Sequence, residues 1–127
     1  MAKAVLDSSA VLAVMNAEPG ADAVIAVMAD SMVSTVNIAE VIAKLVERGT
    51  TLNHARSSLR SFDLAIVDFD LPLAESAGEL RRHTKKAGLS IGDRACLALA
   101  LREAAPALTT DRAWAGLELG IEIRVIR

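Results

Sequence analysis

The sequence predicts an α/β fold built on a mainly parallel sheet. Three observations carry that expectation. Short apolar runs of strand length recur along the chain, longer helical patterns separate them, and one helix around residue 97 is apolar almost all round, so it belongs in the middle of the molecule. The 127 residues are 53% hydrophobic and 24% charged, enough to bury a core. Only 2% are aromatic, so that core is aliphatic. No repeat, low-complexity tract or linker divides residues 1–127, which read as a single domain.

The elements follow in order. Residues 4–6 are a buried strand, and the Asp7-Ser8-Ser9 after it opens a helix, since Asp and Ser cap orphan amides. Residues 10–17 form that helix until Glu18-Pro19-Gly20 breaks it; residues 21–29 are helical again, with Ala23, Val24, Val27 and Met28 on one face. Residues 32–35 are rich in β-branched side chains and read as a strand. Residues 37–48 form an apolar helix stopped by Gly49. Residues 51–62 are a more polar helix, residues 65–69 a third strand, and residues 72–86 a helix with a basic far end closed by Gly88. Ser90 opens the central helix, which runs to residue 104 and stops before Pro106. Residues 107–109 are a fourth strand, 113–119 a last short helix, and 121–126 alternate as a closing strand.

A net charge of −2 gives no overall attraction to nucleic acid, so any contact with RNA uses a local basic patch or metal ions. The one cysteine, Cys96, excludes an intramolecular disulfide and fits a reducing compartment. No apolar h-region opens the chain from Met1 and no apolar run is long enough to span a bilayer, so the reading is a cytoplasmic protein without a membrane partner.

In a parallel sheet, strand ends and helix starts gather along one edge, where ligands bind. Asp7 follows the first strand, Glu40 lies in the first turn after the second, Asp111 follows the fourth, and Asp93 opens the central helix. Taken singly, each acid reads as a helix cap: Asn37 to Glu40 and Ser90 to Asp93 have capping-box spacing, and acids at helix N-termini gain about 0.3–1 kcal/mol from the dipole. Two points favour chemistry. Capping boxes usually take Glu or Gln, and Asp93 is short for that reach. Four carboxylates on one edge also repel one another, and a divalent cation is the economical remedy. An all-oxygen set suits Mg²⁺ or Mn²⁺. Zinc does not suit it, because Cys96 lies in an apolar helix and His54 and His83 read as surface residues.

Four segments carry a family likeness: Val5-Leu6-Asp7-Ser8-Ser9-Ala10, Asn37-Ile38-Ala39-Glu40-Val41, Leu89-Ser90-Ile91-Gly92-Asp93-Arg94-Ala95-Cys96-Leu97-Ala98-Leu99-Ala100 and Leu108-Thr109-Thr110-Asp111-Arg112-Ala113-Trp114. In this order they resemble the successive motifs of PIN-domain ribonucleases, above all the VapC-type toxins of toxin–antitoxin pairs. The resemblance implies a three-layer α/β/α fold and Mg²⁺- or Mn²⁺-dependent cleavage of RNA phosphodiesters, with Asp7, Glu40, Asp93 and Asp111 as the acidic quartet. RNA hydrolysis at neutral pH needs an activated water and a stabilised leaving oxygen, which divalent cations supply. Asp7 and Asp93 are assigned to the first metal, Glu40 to the attacking water, and Asp111 to a water-mediated contact or a second metal. Ser8 or Ser9 adds a hydroxyl near the metal, and Thr110 is a polar neighbour of the last acid. Arg112 either neutralises an idle site or contacts phosphate.

Substrate and partner residues are less constrained. Arg81, Arg82, Lys85 and Lys86 read as a solvated helix end, with a phosphate track as the functional alternative. Trp114 either stacks on a base or anchors the last helix. Residues 21–29 and 37–48 carry more apolar side chains than one buried face needs: Val24, Ile25, Val27, Met28, Val41, Ile42, Leu45 and Val46. The resemblance implies a homodimer and a VapB-like antitoxin that lays a segment into a groove and directs a basic side chain at the acids. The residues leave open a PIN nuclease of RNA processing and a catalytically inactive binding module. A receiver-like phosphoryl-transfer domain fits poorly, because no strand-end lysine accompanies Asp7.

Overall fold

The computed structural model describes residues 2–127; Met1 lies outside them. Five parallel strands, β1 (Ala4–Leu6), β2 (Ser31–Ser34), β3 (Ala65–Val67), β4 (Ala107–Thr109) and β5 (Ile123–Val125), form one sheet in the order β3-β2-β1-β4-β5. The expected mainly parallel sheet is therefore parallel throughout. The chain winds outward from β1 to β2 and β3, then returns to β4 on the other side of β1. The gap between the carboxyl ends of β1 and β4 is thus the topological switch point, where open α/β sheets bind ligands.

Helices cover both faces. Ala4, Leu6, Val33 and Leu108 pack against α1 (Ser8–Met15), α2 (Ala21–Ile25), α3 (Thr35–Glu47) and α4 (Leu52–Ser61). The alternate side chains Val5 and Ala107 pack on the other face against α5 (Leu71–Glu79) and α7 (Ile91–Glu103). This is the three-layer α/β/α arrangement. Cys96, Leu97, Ala98, Leu99 and Ala100 are all buried, as the all-round apolar pattern of α7 requires.

Several boundaries differ from the sequence expectation. Ser34, not Asn37, caps α3, accepting from the Val36 amide at 3.2 Å, so the helix starts at Thr35 and Asn37 lies inside it, fully buried. Glu40 consequently stands in the second turn. The helix expected at 21–29 ends at Ile25, and a 3₁₀ turn, Met28–Asp30, follows. The helix expected at 72–86 divides at Leu80 into α5 and α6 (Arg81–Thr84), just after Gly78, whose freedom weakens helix continuity. Residues 113–119 hold no α-helix; Arg112–Trp114 form a 3₁₀ turn, with Gly116 and Gly120 against further winding.

Candidate active site

Asp7 stands where β1 ends, and its side chain caps α1. Its Oδ1 accepts from the Ala10 amide at 2.8 Å and the Ser9 hydroxyl at 2.7 Å, and its Oδ2 accepts from the Thr109 hydroxyl on neighbouring β4 at 2.5 Å. The pairing of Leu6 with Leu108 sets Thr109 opposite Asp7. Thr109 Oγ1 also accepts from the Asp111 amide at 3.0 Å, and Ser9 Oγ accepts from the Thr110 amide at 2.9 Å. A net of hydroxyls therefore ties the two strand ends together across the switch point. Asp7 is almost fully buried, and burial pushes its carboxyl up to about 6 from 3.8; the hydrogen bonds from Thr109, Ser9 and Ala10 pull it down, and Asp93 pushes it further up.

Glu40 comes from α3. Its Oε1 accepts from Asn37 Nδ2 at 2.9 Å, and the same Nδ2 donates to the Gly92 carbonyl at the start of α7 at 3.0 Å. The Glu40 carboxylate lies so close to Gly92 that a Cβ there would stand 2.3 Å from Oε2. Asp93 is the next residue. Its Oδ2 accepts from the Ser90 amide at 2.9 Å while its own amide donates to Ser90 Oγ at 3.2 Å. The sequence argument that Asp is too short for a capping box is thus corrected: the box is complete, and the turn of α7 brings the shorter side chain within reach. The Cys96 thiol, buried one turn further on, is pushed well above its usual value by burial and then by the charges of Asp7, Asp93 and Glu40. Asp7, Glu40 and Asp93 thus belong to three different elements around this helix start.

Asp111 is exposed and stands apart from these three. Its Oδ1 accepts from the Ala113 amide at 2.9 Å, capping the 3₁₀ turn, and its link to Asp7 runs through its backbone amide and Thr109. Among the described residues no three His, Cys, Asp or Glu side chains stand close enough to form a ready-made metal cage. The carboxylates repel one another, and Asp93 and Asp111 each spend an oxygen on a nearby amide instead. A magnesium-type ion nevertheless fits the donor set, because it needs only one or two carboxylates and keeps several waters. Two observations favour the fit. No Lys, Arg or His among the described residues pairs with any of the four acids. The fully buried Asn37 side chain also keeps its Oδ1 without a protein donor.

The other residues singled out from sequence sort clearly. Ser9 rather than Ser8 reaches Asp7, and Thr109 rather than Thr110 supplies the threonine hydroxyl. Arg112 donates from Nε to the Arg127 carbonyl at 3.3 Å. Trp114 is fully buried, so base stacking is corrected to a core anchor. Arg81, Arg82, Lys85 and Lys86 are exposed, with Arg82 paired to Glu79; His54 and His83 are exposed as expected. Of the surplus apolar residues, Val24, Met28, Val41 and Leu45 belong to the core, while Ile25 and Val46 remain exposed. Ile38 and Ile42 of α3 line a groove of about 350 Å³ with Leu59, Leu64, Ile66 and Arg56. Sequence reading missed Asn37 and Thr109 as site residues. Asn37 carried a detectable signal: it precedes Val41 and Leu45 at steps of four, a polar residue on the buried stripe of its helix.

The PIN domain family model matches residues 4–118. No curated protein matches the sequence. Among solved structures, the chain is similar to DNA-bound VapBC from Salmonella typhimurium, with 18% identity, a TM-score of 0.73 and 98% of both chains covered. It is also similar to VapC20 of Mycobacterium tuberculosis, described as a sarcin–ricin loop cleaving toxin, with 19% identity, a TM-score of 0.74 and 94% of this chain and 98% of that one covered. A toxin–antitoxin complex from Klebsiella pneumoniae matches with 19% identity and a TM-score of 0.73, covering 94% of this chain and 99% of that one.

Proposed function

This chain belongs to the PIN-domain family, and on that premise we propose that it is a divalent-metal-dependent endoribonuclease, the toxin of a VapBC-type pair acting in the cytoplasm. One observation supports the reading: Asp7 at the end of β1, Glu40 of α3 with its carboxylate packed against Gly92, and Asp93 in the first turn of α7 stand near the switch point of a parallel sheet, and among the described residues no basic side chain pairs with them. In this reading Asp7 and Asp93 hold Mg²⁺ or Mn²⁺, and Asp111 contributes through water or to a second ion. When bound, the cation supplies an acidified water and offsets charge on the departing oxygen. Ser9, Thr109 and the Ala10 amide fix both oxygens of Asp7, so its orientation is set before the cation arrives. Glu40 orients the attacking water and takes its proton. Water adds to phosphorus, the bond to the 3′ oxygen breaks, the departing oxygen takes a proton from solvent, and a 5′-phosphate and a 3′-hydroxyl remain.

The partners in this reading are an RNA substrate, a VapB-like antitoxin and a second copy of the chain. Support for the antitoxin comes from the toxin–antitoxin complexes among the similar structures and from the apolar groove between α3 and α4. The test is direct. Wild type and an Asp7→Asn/Asp93→Asn variant, each purified free of partner, are incubated with total RNA in Mg²⁺, Mn²⁺ or EDTA. Discrete cleavage by wild type alone, abolished by EDTA, is the expected result. Equal cleavage by the folded variant would reject the assignment.

A further inference from the structure

We propose that Asn37 is a positioning residue that, together with the missing side chain at Gly92, locks Glu40 against the start of α7 and so sets its carboxylate beside the metal-binding acids. This rests on the reading of the site as a metal-dependent nuclease and adds two residues to it. The amide of Asn37 has one possible sense. Its Nδ2 faces two acceptors, the Glu40 carboxylate at 2.9 Å and the Gly92 carbonyl at 3.0 Å, and a flipped amide would set oxygen against both. Asn37 is fully buried on α3, so neither partner exchanges readily for bulk water. Gly92 completes the lock from the other side. Its φ is unremarkable, so glycine is not required there for backbone freedom. It leaves the space that the Glu40 carboxylate takes, because a Cβ would overlap both carboxylate oxygens and turn that flexible end aside. The carboxylate thus occupies the volume a side chain would fill, between an amide that holds it and a backbone that stops it. Glu40 would reach the ion through its water, as a group outside the ligand set; losing such a group typically weakens metal affinity about 10- to 100-fold, and Asn37 acts by holding Glu40 in that place.

The test titrates Mn²⁺ alone into metal-free wild type, Asn37→Ala, Glu40→Gln and Asn37→Ala/Glu40→Gln by calorimetry, with unfolding temperatures recorded in EDTA. The expected result is that folded Asn37→Ala binds Mn²⁺ about 10-fold or more weakly, and that the same substitution adds little once Glu40 is Gln. A residue that merely supports the fold would lower the unfolding temperature and leave the affinity of the folded protein unmoved, and that outcome overturns the proposal. If Asn37→Ala does not fold, or if wild type takes up no Mn²⁺ and the nuclease reading falls, Gly92→Ala decides. It is expected to raise the unfolding temperature where Glu40 is Ala, since the space is free and α7 gains the helix preference of alanine, and to gain less or lose where the Glu40 carboxylate must move aside. Equal changes in the two backgrounds overturn the lock.

Discussion

Replacing Asp7 with Asn is expected to make the metal-free protein more stable at pH 8, although it removes the residue at the centre of the site. Asp7 is buried, and its carboxyl is pushed from 3.8 up to about 6. In the unfolded chain it ionises near its ordinary value. Between pH 3.8 and 6 the native state therefore holds a proton that the unfolded state has released, and stability falls as pH rises through this window. Below it both states are protonated and no penalty applies; above it both are ionised and the full penalty stands. At about 1.4 kcal/mol per pH unit, the gap amounts to about 3 kcal/mol.

Asn carries no charge at any of these pH values and retains much of the hydrogen bonding. Its Oδ1 still accepts from the Ala10 amide and the Ser9 hydroxyl, and its Nδ2 meets Thr109 Oγ1, a hydroxyl able to accept. For a chain of this length, 1 kcal/mol moves Tm by about 4 °C. Asp7→Asn should thus raise Tm by up to about 12 °C at pH 8 in EDTA, with a gain that shrinks towards zero at pH 4. Thermal unfolding by circular dichroism of both proteins across pH 4–8 reads the difference directly. A variant less stable than wild type at pH 8, or a Tm difference independent of pH, would show that the charge of Asp7 carries no burial penalty.

Mn²⁺ at about 100 times its dissociation constant should stabilise wild type by about 2.7 kcal/mol, reversed by EDTA, and Asp7→Asn by much less; scanning calorimetry with and without the ion checks this. Thr109→Val removes the donor to Asp7 Oδ2 and the acceptor of the Asp111 amide, and should cost about 1–3 kcal/mol in urea unfolding. Ala104 closes α7 with φ 50°, so Ala104→Gly should gain about 0.5–1 kcal/mol in the same assay. Trp114→Ala should cost about 3–5 kcal/mol, and the emission of this single tryptophan should stay unchanged when RNA is added, because its ring is fully buried.

The fold was legible wherever short-range pattern and end signals agreed. β1 ends at Asp7 because the apolar run stops at a residue able to cap the next helix, and α7 was recognisable because every face of it is apolar. Misreadings came where two local signals competed. Val33 and Thr35 are β-branched and suggest a strand through residue 35, yet Ser34 between them makes a good cap, and the cap won; the shift moved Asn37 from a helix end to a buried turn. At residues 113–119 apolar spacing suggested a helix, but Gly116 and Gly120 weaken one, and burying Trp114 fixes the segment without it.

The site divides along the same line. Where the four acids fall was legible one residue at a time, since each lies near a strand end or a helix start. How they are set against one another was not, because the contacts that tie the elements together span long stretches of chain: Thr109 to Asp7 over 102 positions, Asn37 to Gly92 over 55. These contacts depend on strand order and register, which no local pattern encodes. The hydroxyl contacts also do for Asp7 part of what a basic neighbour would do. Hydroxyls and amides lower the cost of the Asp7 charge without cancelling it. A lysine in the same place would cancel the charge outright and occupy the position that the proposed chemistry reserves for a cation.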